Sequence, residues 1–436
     1  MSHLDPGDVR ALLEDLREAR GTLMELTAME IAAAVGTVGA RFLNPDDPLR
    51  KIALERIPDE AGFSRAMAER VLDGMARDWT EPRLRRLLET EFRDPSVLDG
   101  FRPRPGEAAA ARLRAVGDGV AVHIGSGSVP GVCATSVVRS LLVKTPVLVK
   151  PGDGDRALTE LFLQGLEHQA PALAAAVVVA YWPGGEWELE EALLTGADRV
   201  VVYGSDETAR LIRDRVPVHV PLVIYHHRTS IAVLGEGVLA PEALPVVARD
   251  LAFAASTFDQ RGCVSPHRAW VLGDPVHAEQ VAYAVAEAMA REAQDTPPGP
   301  RSEGDHARVQ QVRASVEMRR AAGEEVRIWG DQGTQWTVVL EAPGPVAPLG
   351  VPRSLVVSAA ADLPSLASTL EREAPHLQSV GLAGLGALEE PVAELMARMG
   401  ATRMVPLQHM PFPPAWWRHD GEGPLRALVR WAEWAP

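Results

Sequence analysis

The sequence predicts an α/β protein: a doubly wound parallel sheet, a second α/β unit behind it, and a helical region in front. Three observations carry this reading. From Gly119 onward, short apolar strands alternate with helices. The loops joining them are short and rich in Gly, Pro and Asp. The chain has 436 residues, more than one core usually organises, so two large units are expected.

The elements follow in order. Val9–Arg20, Thr22–Val38 and Ala61–Ala76 carry apolar residues at helical spacing, broken at Asn44–Pro48 and Asp94-Pro95. Arg102–Gly106 reads as a linker closing a helical region over 1–105. A unit over 106–235 then opens with the strand Val120–Ile124, the loop Gly125–Gly131 and a helix Cys133–Val143. Strands follow at Val147–Lys150, Ala176–Tyr181, Arg199–Tyr203, Val218–Ile224 and Ser230–Leu234. Helices at Asp155–Gln169, Glu186–Leu194 and Ser205–Asp214 lie between them.

A second unit over 236–404 begins with a helix at Pro241–Thr257, a strand at Arg268–Leu272 and a helix at His277–Ala293. Asp295–Asp305 is Pro/Gly-rich and expected to be exposed. Arg308–Ala322, Val326–Trp329, Thr337–Leu340 and Ser354–Val357 continue the mixed pattern, with helices at Leu363–Arg372 and Leu388–Met399. The tail, 405–436, holds four of the ten tryptophans.

Composition excludes several classes. Hydrophobic residues at 46% and charged residues at 24% are ordinary for a globular protein. A net charge of −15 argues against nucleic acid or an anionic membrane as partner. An anionic ligand at a helix N-terminus stays compatible with it. No apolar run reaches the ~18 residues of a membrane span. Met1–Gly21 lacks the apolar stretch of a signal peptide, so a cytoplasmic location is expected. The 2 cysteines allow neither a disulfide framework nor a cysteine-rich metal site, and no metal is expected.

Four segments could carry chemistry. Gly125-Ser126-Gly127 follows a strand, but the third glycine of a dinucleotide fingerprint would fall at Pro130. Lys150 ends a strand, where its ammonium can reach ribose hydroxyls or a 2′-phosphate. A solvated lysine is the plain alternative, yet Lys51, Lys144 and Lys150 are the whole complement among 44 basic residues. Gly204-Ser205 opens a helix, and Ser205 can serve as its N-cap or face a pyrophosphate. Asp259-Gln-Arg-Gly-Cys263-Val-Ser-Pro-His267 is the sharpest segment. It places a cysteine on a polar loop, with Arg261 and His267 able to stabilise a thiolate. Cys133, in an apolar helical stretch, reads as core. His226-His227 and His419-Asp420 lack metal-ligand spacing, and structural roles are favoured for them over catalytic ones.

Together, Val149-Lys150-Pro151, Trp182-Pro183-Gly184-Gly185, Tyr203-Gly204-Ser205 and Cys263 after a helix resemble the aldehyde dehydrogenase superfamily. Phe258–His267 and Trp417-Arg-His-Asp-Gly421 resemble more narrowly the acyl-CoA reductase family typified by the fatty acid reductase of bacterial luminescence. The resemblance covers roughly residues 110–436. It implies an aldehyde dehydrogenase-like fold with a cofactor domain and a catalytic domain. It also implies Cys263 as nucleophile, Lys150 at the adenosine ribose or its phosphate, and Gly204 and Ser205 at the pyrophosphate, with Gly184 in the same cofactor set.

Three departures bear on the reaction. The superfamily's water-activating glutamate falls at Val223, and no acid occurs across 220–234. The oxyanion asparagine falls at Ser128. Asp153 sits where NAD-preferring relatives hold the 2′-hydroxyl, while the narrower family favours NADPH. The expectation is therefore reduction of an acyl thioester, on coenzyme A or a carrier protein, to an aldehyde. NADPH is the expected cofactor, with NADH the alternative, and His226 or His227 supplies a proton. Expected partners are an acyl-activating or acyl-transferring enzyme and a second copy of the chain. The alternatives are an aldehyde dehydrogenase releasing free acid and a non-catalytic binding subunit of the same fold.

Overall fold

A computed structural model describes residues 6–104, 111–344, 349–371 and 376–435. Pro105-Gly106 of the expected linker and Arg372 of the expected helix lie outside these. The chain divides into two compact units. The first combines the segment ending at Ala61 with Arg70–His226 and the stretch from Pro414 onward; the second comprises Gly62–Glu69 and His227–Pro413.

The first unit is built on a five-stranded parallel sheet. Its strand order is Val177–Val179, Val147–Lys150, Ala121–Ile124, Arg199–Tyr203, Leu222–Tyr225. The first strand in sequence therefore lies in the middle. Chain direction across the sheet reverses there, at the point where doubly wound sheets bind ligands. Val122, Leu148, Val200 and Val202 are buried with Leu13 and Leu16 of the N-terminal helix Pro6–Glu25. Helical cover on the sheet explains why its strands read as unbroken apolar runs.

The break between the expected helices Val9–Arg20 and Thr22–Val38 falls later in the chain, since the helices observed are Pro6–Glu25 and Ala28–Arg41. Thr27 and Glu30 form a capping box that starts the second. A three-stranded antiparallel sheet of Arg102–Pro103, Arg112–Val116 and Arg430–Trp434 completes the unit.

The second unit is built on seven strands. In order across the sheet they are Arg327–Gly330, Thr337–Leu340, Ser354–Ala360, Pro266–Leu272, Thr229–Leu234, Leu377–Ala383 and Arg403–Pro406. Only the first pair is antiparallel. Thr229–Leu234 belongs here, not to the 106–235 unit expected from sequence. The strand Arg403–Pro406 likewise takes the start of the expected tail, whereas the residues from Pro414 belong to the first unit. The helix Glu303–Ala321 begins inside the stretch expected as exposed loop, because Ser302 and Asp305 form a second capping box.

Among the described residues no single helix is long and apolar enough to cross a membrane. Pro6–Glu25 and Ala28–Arg41 pass that test only together, and they bend by 107° at their break. Their apolar residues Leu13, Leu16, Leu23, Ile31, Val35 and Val38 are buried in the first unit.

Candidate active site

Cys263 lies on the loop between the helix Leu244–Ser256 and the strand Pro266–Leu272, and it is half-buried. The backbone leading to it is strained. Phe258, Asp259 and Gln260 have φ of 61°, 49° and 64°, a left-handed run that side chains disfavour. Gly262 must be a glycine, because a Cβ there would sit 2.9 Å from the Phe258 ring.

Buried polar struts hold this conformation. Arg353, itself at φ 50° and fully buried, donates from Nε to Asp259 Oδ1 at 2.7 Å. Its other nitrogens donate to the Thr296 and Pro297 carbonyls at 2.7 and 3.3 Å. The Gly299 amide donates to Asp259 Oδ2 at 3.2 Å. Gln260 Nε2 donates to the Pro266 and Ser354 carbonyls at 2.9 and 2.5 Å, and its Oε1 accepts from the Ser354 amide at 2.7 Å. Ser230 Oγ donates to the Cys263 carbonyl at 2.7 Å and accepts from the Ser379 amide at 3.2 Å. The sequence singles out Cys263 but gives no sign of the roles of Gln260 and Arg353, which fix its loop.

The charge around the sulfur also differs from expectation. Burial, then the neighbouring His227, lowers His267 to about 4, so it is neutral at pH 7. The Arg261 guanidinium lies 4.0 Å from the centre of the Phe63 ring and 4.0 Å from Asp259 Oδ2. Arg403 is a buried cation whose charge interacts electrostatically with Cys263. Burial lowers its guanidinium to about 10, and a Cys263 thiolate acts in the opposite direction, favouring the cation. The same attraction stabilises the thiolate. Arg403 is anchored by the Met410 carbonyl at 2.9 Å and the His409 carbonyl. Its strand position pairs with Ser379, the residue bonded to Ser230. The signal available in sequence was a single arginine in the otherwise uncharged run Ala401–Pro406.

In the first unit, parallel strands bring their C-terminal ends to one edge. Lys150 ends one strand, with Asp153 in the turn after it. Ser128, Gly184, Gly204-Ser205 and His226 follow four others. Ser128 is exposed, as is the turn holding Gly184. Burial lowers the Lys150 ammonium, which lies 5.5 Å from the ring centres of both Tyr181 and Trp182. Ser205 Oγ accepts from the Thr208 amide at 3.2 Å, capping the helix Asp206–Arg213. His226 Nδ1 pairs with Asp206 Oδ1 at 2.9 Å, whereas His227 belongs to the other unit, beside His267. Tyr203, Tyr225, His419 and Trp417 stack ring on ring, with successive centroid distances of 4.7, 4.4 and 4.5 Å. The C-terminal stretch therefore reaches the same edge.

The Gly125-Ser126-Gly127 loop packs tightly against the loop that follows Lys150. A Cβ on Gly152 would lie 2.2 Å from the Gly127 amide, so these glycines serve packing between two loops. The helix Val132–Leu142 behind them is closed by Asp155, which accepts from the Gly131 and Cys133 amides at 2.5 and 2.7 Å. Burial raises the Asp155 carboxyl to about 7 against those bonds.

A family model described as acyl-CoA reductase (LuxC) matches residues 23–431. The chain belongs to that family. It is 23% identical over 416 residues to the long-chain acyl-protein thioester reductase of Aliivibrio fischeri, covering 93% of this chain and 82% of that protein. The namesake from Photobacterium phosphoreum is 24% identical over 264 residues, covering 58% and 51%. The fold is that of the aldehyde dehydrogenases. A NAD-dependent benzaldehyde dehydrogenase from Corynebacterium glutamicum superposes with a TM-score of 0.74 at 15% identity, over 99% of this chain and 91% of that one. An NADP-dependent glyceraldehyde-3-phosphate dehydrogenase from Bacillus halodurans C-125 gives 0.75 at 14% identity, over 99% and 92%.

Proposed function

We propose that this LuxC-family chain reduces an acyl thioester to an aldehyde through an acyl group carried on Cys263. The observation that carries the reading is the Cys263 loop: three consecutive strained residues held by buried struts, with Arg403 favouring a thiolate. The thiolate attacks the acyl carbon, and the donor sulfur leaves with the bonding electrons and takes up a proton. One thioester replaces another, so the step is nearly isoenergetic. The Cys263 amide is the proposed oxyanion donor. A bound nicotinamide would supply the hydride, with NADPH the preferred form. Lys150, Gly184, Gly204 and Ser205 would hold that cofactor. His226 or His227 would handle the proton as the thiohemiacetal on Cys263 collapses to aldehyde and thiolate.

The missing acid across 220–234 supports reduction over hydrolysis, since no carboxylate there can activate water against the acyl-cysteine. The relatives' printed name supports a long-chain acyl group and a protein-bound donor. The same proposal includes a cytoplasmic location, an acyl-transferring partner enzyme and a homo-oligomer.

The test is purified protein with NADPH and a panel of long-chain acyl-CoAs and acyl-carrier proteins, following cofactor oxidation and aldehyde together. Cofactor oxidation that persists unchanged in Cys263→Ala would sink the mechanism. Free acid formed from aldehyde and oxidised cofactor, without coenzyme A, would favour the hydrolytic dehydrogenase. No turnover with any donor, and slow unselective alkylation of Cys263, would favour a binding subunit.

A further inference from the structure

We propose that Arg156 reads the adenosine 2′ position and selects a 2′-phosphorylated dinucleotide despite the carboxylate of Asp153. The inference rests on the cofactor reading above and names the residue that decides its form.

Asp153 alone would argue for a free 2′-hydroxyl, because a carboxylate accepts hydroxyl hydrogens and repels phosphate. The structure shows that this carboxylate is already engaged. Arg156, the first residue of the helix Arg156–Gln169, places a terminal nitrogen 2.5 Å from Asp153 Oδ1. The Tyr181 hydroxyl donates to the same oxygen at 2.6 Å. Tyr181, then Arg156, holds the Asp153 carboxyl below its usual range.

Tyr181 also ties the cluster together. Its ring centre lies 3.2 Å from the Arg156 guanidinium carbon and 5.5 Å from the Lys150 ammonium. The strand Val177–Val179 leading to Tyr181 pairs with the Lys150 strand, Val179 opposite Val149. Two cations and one exposed, compensated anion therefore share the edge where the ribose is expected.

Arg156 can change partners. The Asp153 side chain is 80% exposed, and exposed ion pairs hold weakly enough to exchange. A phosphate monoester offers a doubly charged acceptor that a planar guanidinium grips with two parallel bonds. The stacked Tyr181 ring limits the orientations of that plane, and Lys150 supplies the second charge. A plain i, i+3 helix-start pair would need neither the ring nor the lysine.

The test uses the full-length chain and two probes, adenosine 2′,5′-bisphosphate and adenosine 5′-monophosphate, with binding measured by calorimetry. The ratio of kcat/KM for NADPH over NADH is measured beside it. Arg156→Gln should weaken the bisphosphate by about tenfold or more, as expected for a lost charge-assisted contact, and leave the monophosphate unchanged. The cofactor ratio should fall by a similar factor, and Arg156→Lys should recover part of it. Asp153→Asn should bind the bisphosphate at least as tightly as wild type. Unchanged bisphosphate binding in Arg156→Gln, or equal loss of both probes, overturns the proposal. Wild-type protein that binds neither probe nor either dinucleotide overturns the cofactor reading beneath it.

Discussion

Replacing Arg353 by methionine should disable the Cys263 loop more than it destabilises the fold. Arg353 is fully buried and holds Asp259 Oδ1 at 2.7 Å together with the Thr296 and Pro297 carbonyls. Methionine keeps most of the volume but leaves the Asp259 carboxylate buried without that counter-charge, at about 3–5 kcal/mol. The loop has a cheaper response. By relaxing, it frees strain of roughly 1–3 kcal/mol at each of Phe258, Asp259 and Gln260. It then loses the three short Gln260 hydrogen bonds, each worth about 1 kcal/mol. Because strain release offsets these losses, the loss of global stability should stay at or below the about 3–5 kcal/mol of the stranded carboxylate. The geometry at Cys263 goes with the loop.

The assay pairs urea unfolding with the rate of Cys263 alkylation and with kcat/KM, in Arg353→Met, Asp259→Asn and the double variant. The double variant should cost little more than either single, because the charges are removed together. A coupling energy below about 0.5 kcal/mol, or kcat/KM within twofold of wild type in Arg353→Met, would refute the strut.

Three further outcomes follow from the same geometry. Arg403→Met removes a buried cation that interacts electrostatically with Cys263, so the pH midpoint of Cys263 alkylation should rise by about one unit or more; an unmoved midpoint removes Arg403 from the site. In wild type, one equivalent of iodoacetamide should label Cys263 and spare Cys133, whose thiol is buried and pushed well above its usual range. Equal labelling in peptide maps would contradict that contrast. His267 is lowered from 6.5 to about 4, so the unfolded state binds its proton first. Its contribution is complete above pH 6.5 and is lost as pH falls towards 4. Wild type should therefore lose about 3 kcal/mol more than His267→Gln between pH 7 and pH 4, read as the difference between their urea curves.

Much of the sheet architecture is written locally. Val147–Lys150 is apolar and ends at a turn, and the structure agrees to the residue. Strands that hide polar residues are not legible in this way. Leu377–Ala383 sits inside the second sheet, yet Gln378 and Ser379 in it are fully buried and Gly381 lacks a side chain. The strand expected at Val218–Ile224 shortens to Leu222–Tyr225, after Pro221, which has no amide to donate. Thr27 shows the opposite case. Its capping-box spacing to Glu30 was present in the sequence and was hidden by apolar residues that keep helical spacing across the break.

The site divides along the same line. Cys263 was legible because its segment is short and unusual, whereas its supports come from far along the chain. Arg353 reaches Asp259 across 94 positions. Two features of the proposed site then bear on one question from opposite sides. An acyl-cysteine is cleared by water only if a base activates that water, and residues 220–234 supply no carboxylate. A thiohemiacetal collapses to aldehyde only if its sulfur leaves as a thiolate, and Arg403 stabilises that thiolate. The missing acid slows the hydrolytic exit and the added cation eases the reductive one. On the proposed mechanism, the valine at position 223 would remove one outcome without weakening the other, and Cys263 would serve reduction because of what surrounds it, not because it is a cysteine.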